Sequence, residues 1–111
     1  MGNVLEEVLL EEYDRELRIF AEAEKEYLAL PKGSIQIKKI NGYEMPYLCY
    51  VEKGKYFSKY IPKENVDKMQ AQIERRRACK KMMAESKKNI AKLKRIIPKE
   101  MLKEYERYGL T

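Results

Sequence analysis

The chain has 111 residues, of which 38% are charged and 44% apolar, so it has material for one small domain with a modest core. It contains no histidine and few hydroxyl side chains besides tyrosine, which leaves no residue set for a nucleophilic or general-base catalytic site. Two cysteines without histidine make no zinc site, and no glycine-rich phosphate loop is present. We therefore expect a non-enzymatic protein with no cofactor and no metal.

The net charge of +6 is unevenly distributed along the chain. The first 31 residues carry three cations and nine acids, whereas residues 63–111 carry fifteen cations and seven acids. This asymmetry indicates either that the acidic segment shields the basic one or that each end meets a different partner. No apolar run approaches the length of a membrane span, and the two cysteines without a secretory segment indicate a reducing compartment, so the expected location is cytoplasmic.

The first predicted element is an acidic helix over residues 1–30. Asn3 followed by Glu6 is typical of a helix N-cap with its partner at position N3, and apolar residues then recur at helical spacing. The next proline ends this helix, because the residue before a proline disfavours the helical conformation. Glu12 and Glu16 fall inside the apolar stripe, where we expect them to pair with lysines or arginines of a later helix.

Residues 34–61 predict a three-stranded antiparallel sheet, because they are rich in aromatic and β-branched side chains. Asn41-Gly42 is typical of a two-residue hairpin turn with positive φ, and Lys53-Gly54 is a weaker signal of the same kind. With these turns, one face of the sheet is mostly aliphatic and is expected to pack on a helix. The other face gathers four of the five sheet tyrosines, namely Tyr43, Tyr47, Tyr56 and Tyr60.

Two interpretations of this tyrosine-rich face stay open. Exposed rings beside Lys38 suit the stacking of nucleic-acid bases, because every base has an aromatic surface and a neighbouring lysine holds phosphate. The same tyrosines suit coverage by another helix, by a second copy or by a protein partner, since tyrosine is favoured in interfaces.

Residues 63–97 predict a long amphipathic helix with a strongly basic segment. Between Arg75 and Arg95, ten cations face a single acid, Glu85. At about 100° per residue, all of these cations except Arg75 fall on one arc. The opposite arc is apolar and consists of Cys79, Met82, Met83, Ile90, Leu93, Ile96 and Ile97. The apolar residues of the first turns lie on the later basic side, so we expect those turns to pack on the sheet and the rest on the first helix.

The basic arc is the candidate site for an anionic partner, because arginine and lysine suit phosphate contact. Its members are Arg76, Arg77, Lys80, Lys81, Lys87, Lys88 and Lys92. Arg75 lies off the arc, where we expect it to contact an acid of the first helix. The plainer interpretation of the arc is a solvated helix face that keeps the chain soluble.

A short last helix is predicted over residues 98–108, with a proline at its first position and Gly109 beyond its end. The expected fold is therefore α+β, with an N-terminal helix, a three-stranded antiparallel sheet, a long basic amphipathic helix and a short C-terminal helix. Residues 1–111 are expected to form a single domain.

Part of the sequence resembles a known hairpin module. The segment Leu30–Ser34, followed by Tyr47–Tyr50, Gly54-Lys55 and Ser58–Ile61, resembles a module of small uncharacterised bacterial and phage-borne proteins and, more loosely, the beginning of some transposases. Those proteins are similar in placing a charged helix after the third strand. The resemblance implies an association with mobile elements and names no activity.

Three functions are compatible with these features. The first is sequence-tolerant binding of nucleic acid, or of a nucleoprotein, through the basic arc. The second is a phage-encoded inhibitor of a bacterial nuclease, of the anti-CRISPR type, whose acidic helix imitates phosphates. The acidic residues in that hypothesis are Glu6, Glu7, Glu11, Asp14, Glu22 and Glu26. The third is a helical oligomerisation module, for instance a homodimer in which the acidic helix meets the basic helix of a second chain.

Overall fold

The computed structural model describes residues 3–110, and these form two compact units. One unit contains the chain up to Lys25 and from Cys79 onward, and the other is Glu26–Ala78. The elements in chain order are the helix α1 (Val4–Ala29), the strands β1 (Ser34–Ile40), β2 (Tyr43–Glu52) and β3 (Lys55–Tyr60), and the helices α2 (Val66–Ile96) and α3 (Lys99–Tyr108).

These elements confirm the predicted α+β architecture, with local differences where α2 and α3 begin. Pro98 is the N-cap of α3, whereas the sequence predicted it at the first helical position. Lys63–Asn65 forms a 3₁₀ turn, so the long α-helix begins later than its predicted start. None of the helices in the described part of the chain combines the length and apolar character of a membrane span.

The predicted N-cap begins α1. The Asn3 side-chain oxygen accepts a hydrogen bond from the Glu6 backbone at 2.8 Å, and the Glu6 carboxylate accepts one from the Asn3 backbone at 3.2 Å. This reciprocal pair satisfies two backbone N–H groups that have no partner inside the helix. The prediction from the Asn3 and Glu6 spacing is confirmed.

The sheet has β2 at its centre, with β1 and β3 antiparallel on its two sides. Asn41 and Lys53 have φ angles of 52° and 50°, and the glycines that follow them also have positive φ, as a type I′ turn requires. The resulting register pairs Leu48 with Ile35 on one side and with Lys59 on the other. Both predicted two-residue turns and the predicted division of the sheet into two faces are confirmed.

The core of the Glu26–Ala78 unit forms between the aliphatic face of the sheet and the beginning of α2. Leu48, Ile61 and Ile73 are buried, and the half-buried residues around them are Ile35, Tyr50, Val66 and Met69. Burying a side chain of this size stabilises the fold by roughly 1.5–3 kcal/mol. The prediction that the first turns of α2 pack on the sheet is confirmed.

The second core belongs to the other unit. Tyr13, Leu93 and Ile97 are buried there, and α3 contributes half-buried residues that include Tyr105. The Tyr13 and Tyr105 rings meet edge to face, with their centroids 5.5 Å apart. The Tyr105 hydroxyl donates a hydrogen bond of 2.6 Å to the Asp14 carboxylate. This unit therefore packs the later part of α2 on α1, as predicted.

The expected partners of Glu12 and Glu16 are wrong. Glu12 pairs with Arg15, one turn away in the same helix, because residues three apart lie on one face. Glu16 is only 6% exposed and accepts a hydrogen bond of 3.3 Å from the Asn89 amide of α2. The partner of Glu16 is therefore a neutral amide and not the predicted cation.

The apolar arc of α2 is narrower than predicted. Met82 is 39% exposed and Ile96 is 60% exposed. On a helical wheel they lie about 60° and 100° away from Cys79 and Ile97, which mark the buried centre. Only the middle of the predicted apolar arc is therefore buried, and the side of the arc that carries Met82 and Ile96 is exposed to solvent.

Gly33 should be intolerant of a side chain, because its φ is 110° and an added Cβ would lie 2.2 Å from the Cys49 carbonyl oxygen. We expect Gly33→Ala to lower the free energy of unfolding by about 2 kcal/mol or more, from backbone strain and steric collision together. Gly54→Ala is the matched control, since Gly54 also has positive φ but has open space around it. Urea unfolding followed by circular dichroism measures both, and equal losses would contradict the close approach.

Tyr105 should make the protein sensitive to alkaline pH. Burial and the hydrogen bond to Asp14 raise the pKa of Tyr105 from 10 to about 12. Between these values the unfolded tyrosine ionises while the folded one stays neutral, so the stabilisation is complete below pH 10 and is lost as the pH rises towards 12. The free energy of unfolding of Tyr105→Phe should fall less over this interval. Identical pH profiles would contradict the prediction.

Candidate functional site

Five lysines of α2 form an exposed surface on the side opposite the buried residues of its unit. The lysine surface consists of Lys80, Lys81, Lys87, Lys88 and Lys92, all exposed. The small side chains of Ala84 and Ala91 lie between them on the same arc, while Cys79, Leu93 and Ile97 are buried on the opposite arc. The helix period therefore brings five of the seven predicted basic residues together within one unit.

The lysine surface has no carboxylate partner within residues 3–110. The ion pairs in this part of the chain join Arg15 with Glu12, Arg18 with Asp14, and Arg75 with Glu26. Five like charges on one helix face create a positive potential that attracts anions, and bound anions relieve their mutual repulsion.

The three consecutive arginines have different environments. Arg75 donates to the Glu26 carboxylate, with a distance of 2.9 Å between Nη2 and Oε1, which confirms the expected contact with an acid of the first helix. Arg76 is half-buried, with its guanidinium carbon 3.8 Å from the Tyr27 ring centroid, because a guanidinium is attracted to an aromatic face. Arg77 is exposed. Arg76 therefore departs from the exposed position that the sequence assigned to it.

The tyrosine surface consists of Tyr43, Tyr47, Tyr56 and Tyr60 on the outer face of the sheet. Tyr43, Tyr56 and Tyr60 are 74%, 59% and 47% exposed, and Tyr47 is half-buried. The Tyr47 and Tyr60 rings meet edge to face at 5.9 Å. Within this unit the face is therefore open to solvent.

A polar cluster lies on the same face and joins three strands. Lys38 donates a hydrogen bond of 2.7 Å to the Ser58 hydroxyl and lies 4.8 Å from the Tyr47 ring centroid. Cys49, buried among these residues, has its Sγ 3.7 Å from the Ser58 Oγ. A hydrogen bond with Tyr56 is the largest cause that lowers the pKa of the Cys49 thiol, and Ser58 acts in the same direction against burial. The strand register places these side chains on one face, so a register predicted from the sequence could have brought them together.

The six acidic residues of the inhibitor hypothesis do not form one free surface. Three of them have partners inside the chain. Glu6 belongs to the α1 cap, and Glu26 forms an ion pair with Arg75. Asp14 forms an ion pair with Arg18 and accepts the hydrogen bond from the Tyr105 hydroxyl. The other three are exposed, and these are Glu7, Glu11 and Glu22. Imitation of a phosphate row by all six would require the internal contacts to break.

Comparison with known proteins identifies one family. A family model described as a domain of unknown function, DUF6788, matches residues 6–71, which is more than half of the chain. The match includes most of α1, the whole sheet with the tyrosine surface, and the first turns of α2. No curated protein and no solved structure matches the chain.

Removing the Tyr56 hydroxyl should raise the pKa of the Cys49 thiol, because a hydrogen bond to a thiolate stabilises its charged form. In a Cys79→Ala background, we expect Tyr56→Phe to move the midpoint of the alkylation pH profile upward, as measured with iodoacetamide. Tyr43→Phe, on the same face, is the control and should leave the midpoint unchanged. A midpoint that moves equally in both variants would contradict the assignment.

Proposed function

We propose that this protein, which belongs to the DUF6788 family, is a non-enzymatic nucleic-acid-binding protein whose lysine surface holds phosphates. The observation that carries this proposal is the group of five exposed lysines without a carboxylate partner among the described residues. Lysine contacts of this kind displace counterions from nucleic acid, which supplies affinity with little dependence on sequence.

The tyrosine surface supports the same proposal from the other unit. Exposed tyrosine rings stack on bases at roughly 1–3 kcal/mol per base. Lys38, held beside Tyr47, places a cation next to these rings, where a phosphate linked to the stacked base would be neutralised. The outer face of the sheet thus offers both contacts that single-stranded nucleic acid requires.

The biological setting is part of the proposal. The hairpin module of residues 30–61 lies within the matched family segment, and its resemblance to phage-borne and transposase proteins favours a role near nucleic acid in mobile elements. Binding to a nuclease through exposed acids and assembly of a second copy are the alternatives, and absence of oligonucleotide binding would favour them.

The experiment is fluorescence anisotropy of labelled single-stranded and duplex oligonucleotides over a salt series. Neutralising Lys81, Lys88 and Lys92 as a triple glutamine variant should weaken duplex binding and reduce the salt slope by about 2.7, since each phosphate contact contributes about 0.9. The control is the triple glutamine variant of Lys25, Lys99 and Lys103, which are exposed lysines of the same unit. Both variants lose the same net charge.

Equal effects of the two triple variants would show that net charge, and not the lysine surface, governs binding. Absence of binding by the unmodified protein near 50 mM salt, where electrostatic contacts are strong, would contradict the proposed function. Sedimentation at two salt concentrations would then test assembly of a second copy, because pairing of acidic and basic helices weakens with salt.

A further inference from the structure

The Glu26–Ala78 unit contains an open groove that shares no residue with the lysine surface or the tyrosine surface. It has a volume of about 500 Å³, within the range of small-molecule sites. We name it the basic groove, and its lining includes Lys32, Tyr50, Glu52, Lys59 and Arg76 together with apolar residues. Its lining comes from the end of α1, the following loop, two strands and the beginning of α2, all within one unit.

The lining of the groove combines positive charge with an aromatic ring. Lys32, Lys59 and Arg76 supply three cations, and Glu52 is the single acid. The Nζ atoms of Lys32 and Lys59 lie 6.0 Å and 5.7 Å from the Tyr50 ring centroid. Cations around an aromatic side chain are the complement of a ligand that joins a negative group to a flat ring.

Arg76 is held in place by its neighbours. Its Nε donates to the Tyr27 carbonyl at 3.3 Å, and its guanidinium lies over the Tyr27 ring. No hydrogen bond within residues 3–110 involves its terminal Nη atoms. A guanidinium fixed in this way can bind two phosphate oxygens at a low cost in conformational entropy.

The position of Lys32 is also restricted. Pro31 precedes it, and Gly33 follows it at the close approach to the Cys49 carbonyl. Tyr50 is stacked on Phe57, with the ring centroids 5.2 Å apart and an interplanar angle of 13°. The loop and the ring are therefore ordered before a ligand arrives, which lowers the entropic cost of binding.

We propose that the basic groove binds one nucleotide unit of single-stranded nucleic acid, with its phosphate between Lys32, Lys59 and Arg76 and its base against Tyr50. This proposal rests on the proposed function and names the chemistry of a second site. Duplex is excluded from the groove because its bases are stacked inside the helix, whereas an unpaired base is free to reach an aromatic side chain. A free nucleotide has the same chemistry, so the experiment includes both sources.

The test compares two double variants that lose the same charge. Lys32→Gln with Lys59→Gln removes two cations of the basic groove, while Lys39→Gln with Lys55→Gln removes two exposed cations of the same sheet outside it. We expect the first pair of substitutions to lower the affinity for a short single-stranded oligonucleotide by about tenfold or more relative to the second pair. Its salt slope should fall by about 1.4, at about 0.7 per contact. Duplex affinity should respond equally to both pairs.

Titration with adenosine monophosphate, followed by amide chemical shifts, identifies the source of the nucleotide. Saturable shifts at Lys32, Gly33 and Lys59 that compete with the oligonucleotide show that a free nucleotide suffices. Shifts at the same residues with the oligonucleotide alone show that the strand is required. Both results support the proposal.

Three results would contradict the proposal, and they can be distinguished from one another. If oligonucleotides bind but the two double variants lower the affinity for single strands equally, the basic groove is not the binding site, and the proposed function survives. If no oligonucleotide binds but adenosine monophosphate shifts the groove residues, the groove binds a free nucleotide only, and both the single-strand proposal and the proposed function are overturned. If neither probe binds, both are overturned.

Discussion

The hairpin register is the constraint on which the surfaces of the Glu26–Ala78 unit depend. The two-residue turns with positive φ at Asn41 and Lys53 are the shortest connections between the strands, so they fix the register of β2 with both neighbours. A slip of one residue would invert the side-chain alternation of a strand and exchange its two faces. The core, the tyrosine surface and the basic groove therefore all require the same strand register.

Alternation along β2 divides these roles between neighbouring residues. Leu48 points into the core, and Tyr50, on the same face of the sheet, lines the basic groove. Cys49, between them in sequence, belongs to the polar cluster on the opposite face. One strand thus contributes to the core, to the basic groove and to the polar cluster. Gly33 is required because the chain passes so closely over this strand.

Local signals were sufficient to predict the elements and their pairing. Caps, turn dipeptides and residue periodicity act over a few residues, which is why the N-cap at Asn3, both hairpins and the packing of α2 could be predicted. Contacts between distant residues could not. The amide of Asn89 at Glu16, the stacking of Arg76 on Tyr27 and the convergence of the groove residues depend on three-dimensional packing that no spacing records.

Arginine and lysine have different environments in this structure, and the difference bears on the specificity of the proposed nucleic-acid binding. Arg15, Arg18, Arg75 and Arg76 contact partners inside the chain, whereas the lysine surface has no carboxylate partner in the described residues. Lysine is a flexible point charge that neutralises phosphate without reading its geometry. In the proposed function, selection between single strands and duplex therefore comes from the aromatic residues of the sheet, because a base has to leave its stack before it can bind there.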